Sequence, residues 1–167
     1  MLSRRIVLIG LLGTTTKAAF GQDARPSGLM TQPRVTPPGE ILENKELMAL
    51  YQALGYDVAA VYGLLRAVRT VFEKQDIRGF ANLCLLPLLL FANKERQAIA
   101  NRDGIEARRA TIFAPQVRGA VERQQFQALG VSDHGIMYGA GELWLRARCQ
   151  DRACQQFDYG VATINLI

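Results

Sequence analysis

The sequence predicts a single α+β domain in which most of the helices precede an antiparallel sheet. Two observations carry this prediction. Apolar residues recur with the helical period over 58–75, and strand-like runs follow one another near 125–131, 136–148 and 155–166. The chain has 167 residues, which is enough for one such domain and too few for two comfortable ones.

The first residues are predicted to be an export signal. Arg4 and Arg5 precede the apolar stretch 6–12, which is too short to cross a bilayer core of about 30 Å. Small residues before position 22 complete the pattern of a signal peptide over 1–21. The Arg4-Arg5 pair resembles a twin-arginine export signal, and the general secretory route fits as well.

The segment 22–40 contains four prolines and predicts a flexible tether ahead of a domain over 41–167. Export places the mature protein in the periplasm or outside a bacterial cell, without stable membrane insertion after cleavage. The formal net charge of +5 includes three cations of the signal segment, so about +2 remains for the mature chain. A charge this small argues against a nucleic-acid partner.

Helices are predicted over 41–54, 57–75, 76–82, 101–113 and 115–124. Asp57 and Asp76 are suitable N-caps for the second and third of these, and Gly55 is expected to end the first. Either Asn101 or Asp103 caps the fourth, and Pro115 suits the first position of the fifth.

An apolar run over 85–91 contains Pro87. Proline is tolerated at the start of a strand, on an edge strand or at a bulge, because it cannot donate to the ladder. We expect an edge strand that begins near Pro87, a turn over 93–95 and a partner strand over 96–100.

Cys149 and Cys154 are separated by four residues between two strand-like runs. We expect a disulfide across the mouth of a hairpin, in agreement with an oxidising compartment. A zinc site would need more ligands than these two cysteines, so no metal and no cofactor is predicted. Cys84 stands among aliphatic residues and is expected to be a buried thiol rather than a nucleophile.

The disulfide predicts a register for the last hairpin. If Cys149 faces Cys154, the predicted cross-strand pairs are Trp144 with Tyr159, Arg146 with Phe157, and Glu142 with Val161. These side chains would share one face of the sheet. The four residues Trp144, Tyr159, Arg146 and Phe157 are therefore predicted to form a ligand-pocket wall or a subunit interface.

Candidates for acid–base chemistry are few. Glu142 is predicted to lie inside a strand, and Asp158 is a similar case with less support. His134, the only histidine, follows Ser132 and Asp133 in a predicted turn. Neighbouring residues do not form a hydrolase triad, because triad members converge through the fold. The structural alternatives are an exposed turn histidine and a half-exposed Glu142 paired with an arginine.

The stretch 134–144, HGIMYGAGELW, has a G-x-x-x-G-x-G pattern that suggests a ligand loop. A phosphate-binding glycine loop, however, needs a strand before it and a helix after it. Here a turn precedes the glycines and an alternating pattern follows them. We therefore expect Gly139 and Gly141 to lie inside one strand, over 136–148, where they allow the sheet to bend.

The order of elements over 56–166 resembles the nuclear-transport-factor-2-like superfamily, also called SnoaL-like or cystatin-like. Four segments carry the resemblance: Phe72-Glu73-Lys74-Gln75-Asp76, Leu86-Pro87-Leu88, Ile112-Phe113-Ala114-Pro115, and the run from Gly135 to Trp144. The resemblance implies a curved antiparallel sheet wrapped round N-terminal helices, in the form of a cone with an apolar pocket. It is closest to exported bacterial members without an assigned activity.

The superfamily includes enzymes such as ketosteroid isomerase, which the resemblance implies would place a carboxylate base and an acidic donor inside the cone. No residues here match that pair one by one. The leading hypothesis is therefore a non-catalytic exported protein that binds a small apolar or amphipathic ligand, or a partner protein, with a homodimer through the sheet face. The alternatives are a cofactor-free isomerase, dehydratase or hydrolase that uses Glu142 with His134 or Asp158, and a structural envelope subunit.

Overall fold

The structure is a computed structural model, and it describes residues 35–154 and 156–166. The predicted signal peptide over 1–21 and the tether up to residue 34 lie outside the described residues. The described residues form helices α1 (Gly39–Leu42), α2 (Lys45–Ala53), α3 (Val58–Glu73), α4 (Ile77–Leu83), α5 (Arg102–Glu106), α6 (Arg109–Ile112) and α7 (Pro115–Arg123), with one 3₁₀ turn, η1 (Phe126–Ala128). Their strands are β1 (Cys84–Ala92), β2 (Glu95–Ile99), β3 (Gly130–Ser132), β4 (Gly135–Tyr138), β5 (Leu143–Cys149) and β6 (Phe157–Asn165).

The predicted α+β class is confirmed, with one correction to the sheet. The strands form one open, six-stranded sheet in the order β2-β1-β6-β5-β4-β3. The pairs within it are antiparallel except that β1 and β6 run parallel. The sheet is therefore mixed. The chain passes through β2, the later helices and the meander before β6 pairs with β1, and β6 then runs in the same direction as β1.

The predicted helix caps agree with the structure. The Asp57 carboxylate accepts hydrogen bonds from the amides of Ala59 and Ala60, and Asp76 accepts one from Gly79. These bonds satisfy amide groups that the first turn of a helix leaves without partners.

Two predicted helices are each divided into two. The segment 41–54 contains a break after Leu42, where Asn44 begins a new helix by accepting from the Leu47 amide. The segment 101–113 breaks after Glu106, and Asn101 rather than Asp103 provides its N-cap. The spacing of apolar residues does not reveal such breaks, because the apolar residues of both halves are buried in the core.

The prediction that β1 is an edge strand is wrong. The strand begins at Cys84 and lies between β2 and β6. Pro87, which follows a cis peptide bond, stands where the β1–β6 register shifts between Cys84 and Leu89. A proline is accommodated in an inner strand at such an irregularity, because no ladder donor is required of it there. The Leu86 carbonyl instead accepts a hydrogen bond from Arg148 at 3.3 Å.

The predicted strand over 136–148 is in fact a hairpin. β4 ends at Tyr138, and a turn over 139–142 leads into β5. Gly139 and Gly141 have φ of +58° and +112°, so they form this turn rather than a bend inside a strand. The meander consequently has four strands, and η1 replaces most of the predicted strand over 125–131.

The disulfide between Cys149 and Cys154 agrees with the prediction, and their Cα atoms are 4.7 Å apart. The register built on it is wrong. Cys149 lies opposite Phe157, and Cys154 belongs to the loop between β5 and β6. That loop is longer than the four residues assumed, so every cross-strand pair of the hairpin differs from the predicted one.

The corrected register separates the four predicted interface residues. Arg146 pairs with Gly160 and Tyr159 with Ala147, and Ala162 is an extra residue in β6 opposite the Trp144–Leu145 step. Trp144 and Arg146 therefore project from one face of the sheet, whereas Tyr159 and Phe157 project from the other.

The core lies between the helices and the face that carries Tyr159. α3 contributes an apolar side with Val61, Leu64, Leu65, Val68 and Phe72. The sheet contributes fully buried side chains from four strands: Leu88, Ile136, Leu143, Leu145, Val161 and Ile164. Each such side chain adds about 1.5–3 kcal/mol when it is removed from water. We call this the inner face of the sheet and the opposite one the outer face.

Within the described ranges, no helix is long and apolar enough to cross a membrane.

Candidate functional site

A groove of about 620 Å³ runs along α3. Its lining comes from three segments: Pro38, Glu40 and Ile41 at the start of the described chain; Tyr62, Leu65, Arg66, Arg69, Thr70 and Glu73 of α3; and Gln125, Phe126 and Gln127 around η1. The α3 residues recur at spacings of three and four, so they share one side of the helix. The volume is within the usual range for a site that binds a small molecule.

The floor of the groove is aromatic and aliphatic. Phe126 is buried, stacks on Tyr51 with a centroid distance of 5.3 Å and meets the edge of Tyr62 at 5.5 Å. Leu65 is also buried beside these rings. The floor is therefore supported by the core, and only a small part of its nonpolar surface faces the groove.

The walls carry balanced charges. Arg66 and Arg69 come from α3, and Glu40 and Glu73 stand on the same groove. Arg66 is exposed, whereas Arg69 is half-buried and donates from Nη2 to the carbonyl of Gln124. This combination suits a ligand with a single negative charge or a strong acceptor better than a multiply charged anion.

Arg69 also connects the groove to polar atoms in the core. Its Nε is buried and has no hydrogen-bond partner among the described residues, and the same holds for the hydroxyl oxygens of Tyr51 and Tyr138. Burial raises the pKa of both phenols well above the ordinary value, and the positive charge of Arg69 lowers that of Tyr138 by a smaller amount. Both hydroxyls are therefore neutral donors at physiological pH.

The three groups Arg69, Tyr51 and Tyr138, which we call the donor cluster, share one chemical property. Each presents a hydrogen-bond donor, the Arg69 Nε or a tyrosine hydroxyl, that finds no acceptor in the described part of the chain. A buried donor without a partner costs about 1–3 kcal/mol. Such donors call for an oxygen acceptor rather than a cation, and of the three residues only Arg69 lines the groove.

Gln124 links this cluster to the glycine turn. Besides accepting from Arg69, it accepts from the Gly139 amide at 2.7 Å through Oε1 and donates to the Gln125 carbonyl at 2.9 Å. The turn over 139–142 is therefore part of the support of the groove wall. This turn is far in sequence from the α3 residues that line the groove. The pattern HGIMYGAGELW alone therefore does not indicate this role.

The structure places Glu142 inside that turn. Its Oε2 accepts from the Ala140 amide at 2.7 Å, and its carbonyl accepts from the Asn165 amide at 2.8 Å. The half-buried carboxylate closes its own turn and does not line the groove. Its partner is a backbone amide and not an arginine.

His134 lies in the two-residue turn between β3 and β4, with 78% of its side chain exposed. Its Nδ1 is 2.6 Å from a carboxylate oxygen of Asp133. Asp158, on the outer face, pairs with Arg148 at 3.3 Å and accepts from the Gln150 amide group. Within the described part of the chain, no hydrogen bond or ion pair joins Glu142, His134 and Asp158.

The four predicted interface residues do not line the groove either. The Tyr159 hydroxyl accepts from the Asp57 amide at 2.9 Å and so ties β6 to the start of α3. Phe157 remains 39% exposed on the same face. Trp144 is half-buried and Arg146 exposed on the outer face.

Cys84 is a buried thiol, as its aliphatic neighbours predict. Its sulfur donates to the Phe80 carbonyl at 3.3 Å, and burial raises the pKa of the thiol well above its ordinary value. A nucleophile needs the opposite shift. In the described ranges, no group of three or more His, Cys, Asp or Glu side chains could hold a metal ion.

Sequence reasoning did not identify the residues of the groove or of the donor cluster. On a helical projection Arg66, Arg69 and Glu73 lie opposite the apolar side of α3, which is typical of a solvated surface. Tyr138 stands two residues after the apolar Ile136 in a predicted strand, so the pattern places both on the core face. No local pattern shows that these residues meet.

Comparison with protein-family models, with curated proteins and with solved structures finds no match for this chain. The functional argument therefore depends on the geometry of the groove itself.

Proposed function

We propose that the protein is an exported, non-catalytic binding protein that holds a small amphipathic ligand in the groove along α3. The observation that carries this proposal is Arg69, a half-buried cation that lines an apolar-floored groove and has a buried, unpartnered Nε. The ligand is a monoanion or a molecule with a strong oxygen acceptor, because Arg66 and Arg69 offer cationic donors while Glu40 and Glu73 keep the total charge of the groove low.

In this proposal the two ends of the ligand have different environments. The apolar part lies over Tyr62, Leu65 and Phe126, where it removes nonpolar area from water. The headgroup approaches Arg69 from the groove, with Arg66 at the more exposed side. Glu40 and Glu73 keep the site from attracting polyanions, which sets its specificity.

The non-catalytic part of the proposal is supported by where the acid–base candidates lie. Glu142, His134 and Asp158 each have a local partner outside the groove. Export is supported by the Cys149–Cys154 disulfide, which persists in an oxidising compartment. We further propose that the chain belongs to the nuclear-transport-factor-2-like superfamily, and the helix–hairpin–helix–meander order supports this assignment.

The decisive experiment uses two probes that differ only in the headgroup. We expect decanoate to bind the purified protein more tightly than decanol in isothermal titration calorimetry. Arg69→Met keeps the side-chain stem and removes the charge, and it should weaken decanoate binding by about 10- to 100-fold, the range for a charge-assisted hydrogen bond.

The matched control is Arg78→Met, which removes an arginine that is 83% exposed and lies outside the groove. It should leave the decanoate affinity unchanged. Equal affinities for decanoate and decanol, or wild-type affinity in Arg69→Met, would exclude the proposed headgroup site.

A further inference from the structure

The Cys149–Cys154 disulfide lies on the surface, at the end of the β5–β6 hairpin. Cys149 is the last residue of β5, Cys154 belongs to the loop that follows, and both residues are exposed. Thiol–disulfide exchange requires such access, because the attacking thiolate must reach one of the two sulfur atoms. Exposed disulfides are therefore the ones that thiols in solution reduce most readily.

The end of the hairpin is also held by contacts that do not involve the two sulfur atoms. Cys149 pairs with Phe157 across the ladder, and beyond this pair the Gln150 amide donates to the Gln156 carbonyl at 2.8 Å. Both cysteines lie outside the hydrophobic core. The disulfide can therefore open while the ladder and the core stay in place, and the ladder keeps the two thiols near enough to pair again.

Two features limit what the fold loses when the disulfide opens. Only four residues separate the cysteines, and the entropic stabilisation that a cross-link provides becomes smaller as the closed loop becomes shorter. Cys154 also has a φ of +52°, in the left-handed region that is unfavourable for residues other than glycine. Reduction allows Cys154 to leave this conformation, and the relief favours the dithiol.

The third cysteine of the chain is kept apart from this chemistry. Cys84 is buried in the core, and burial raises the pKa of its thiol well above the ordinary value. Its thiol stays protonated and is not accessible to a solution thiol in the folded protein. Exchange is therefore confined to the surface pair.

From the exposure of this pair and the contacts that keep the hairpin closed, we propose that Cys149 and Cys154 form a reversible exchange site for small thiols of the glutathione type. A thiolate attacks one cysteine sulfur, the S–S bond breaks, and the other cysteine leaves as a thiolate and takes up a proton. A second small thiol then attacks the mixed disulfide and releases the remaining cysteine, which is protonated in turn. The protein gains two electrons and two protons, and two small thiols become one small disulfide.

The test treats the folded mature protein with excess reduced glutathione and counts free thiols by intact mass after labelling with N-ethylmaleimide. We expect two labels, on Cys149 and Cys154, and none on Cys84 until guanidinium is added. Cys84 is thus an internal control that reports any unfolding during the reaction. The rate of reduction should lie within about tenfold of that of the isolated peptide 149–154 with the same disulfide, since the bond is exposed in both.

Reversibility is measured on the same sample. The near-UV circular dichroism of the reduced protein should resemble that of the oxidised protein, because the ladder does not depend on the bond. Oxidised glutathione should then restore the disulfide. Cys149→Ser and Cys154→Ser each retain one surface thiol and should each gain one glutathione adduct, whereas the matched double variant should gain none.

Three results would overturn the proposal: reduction more than about tenfold slower than in the peptide, reduction that occurs only together with labelling of Cys84, or a reduced protein that oxidised glutathione does not return to the disulfide. None of these results bears on the groove, since decanoate binding is measured with the disulfide intact.

Discussion

The two faces of the sheet are built from adjacent residues and have opposite properties. Leu88 on the inner face is fully buried, whereas Leu89, the next residue, is half-exposed on the outer face. The same contrast separates Leu143 from Trp144 in β5. The strand period of two sends neighbouring side chains to opposite sides, so one strand serves both faces.

The difference shows that stability and recognition are carried by separate surfaces. The inner face removes nonpolar area from water against α3 and the other helices, which stabilises the folded chain. The outer face retains exposed nonpolar area, and a surface of that kind can be buried by a partner. The groove is a third case, because it combines a core-supported floor with accessible charges.

The largest expected effect comes from truncating Leu88, and the same truncation of its neighbour Leu89 provides the comparison. Leu88→Ala should lower the free energy of unfolding by about 2–5 kcal/mol, since a fully buried side chain leaves a cavity. Leu89→Ala should lower it by about 1 kcal/mol or less, because its side chain is partly solvated in both states. Urea denaturation measures both values, and equal losses would contradict the assignment of the faces.

A smaller effect is expected at Gly135 in β4, which lies close to the backbone of the neighbouring strand β5. Its φ is +137°, and an added Cβ would lie 2.5 Å from the Leu145 carbonyl oxygen. Gly135→Ala should therefore lower the melting temperature, with a loss of about 1–3 kcal/mol.

The matched control is Gly39→Ala at the start of α1, where the nearest contact of an added Cβ is the Glu43 side chain at 3.7 Å. That change should be neutral or slightly stabilising. A Gly135→Ala protein as stable as Gly39→Ala would mean that β4 and β5 do not approach each other in this way.

The smallest effect, and the most informative about the inner face, concerns two tyrosines. Tyr138→Phe removes a buried hydroxyl that has no partner in the described part of the chain, so stability should stay equal or rise by about 1 kcal/mol. Tyr56→Phe removes a hydroxyl that donates to the Ser132 carbonyl at 2.8 Å, and it should cost about 1 kcal/mol.

Thermal unfolding of both variants gives the comparison. A loss in Tyr138→Phe as large as that in Tyr56→Phe would show that the Tyr138 hydroxyl is bonded in solution, and the donor cluster would then not be available to a ligand.

Much of the helical part could be predicted because its signals are local. Asp57, Asp76 and Asn101 act as caps through hydrogen bonds to amides two or three residues ahead, so their effect does not depend on the rest of the fold. Pro115 starts α7 for a similar local reason. The disulfide was also predictable, because four intervening residues keep its cysteines close.

The sheet was predicted less well because its determinants are not local. The alternating pattern over 136–148 fits one strand or two, and only the positive φ of Gly139 and Gly141 divides it. The register of β5 and β6 depends on the loop after Cys149 and on the extra Ala162. A disulfide near the end of a hairpin does not fix that register, because one cysteine can lie beyond the ladder.

The sequence by itself determined the α+β class, the helix starts, the disulfide and the buried environment of Cys84, since each depends on periodicity or on neighbouring residues. Only the tertiary structure decided that the charge of Arg69 acts on the Tyr138 hydroxyl, that Gln124 supports the glycine turn, and that Trp144 and Tyr159 lie on opposite faces. These relations join segments that are far apart in the chain, and packing, strand order and one bulge set them.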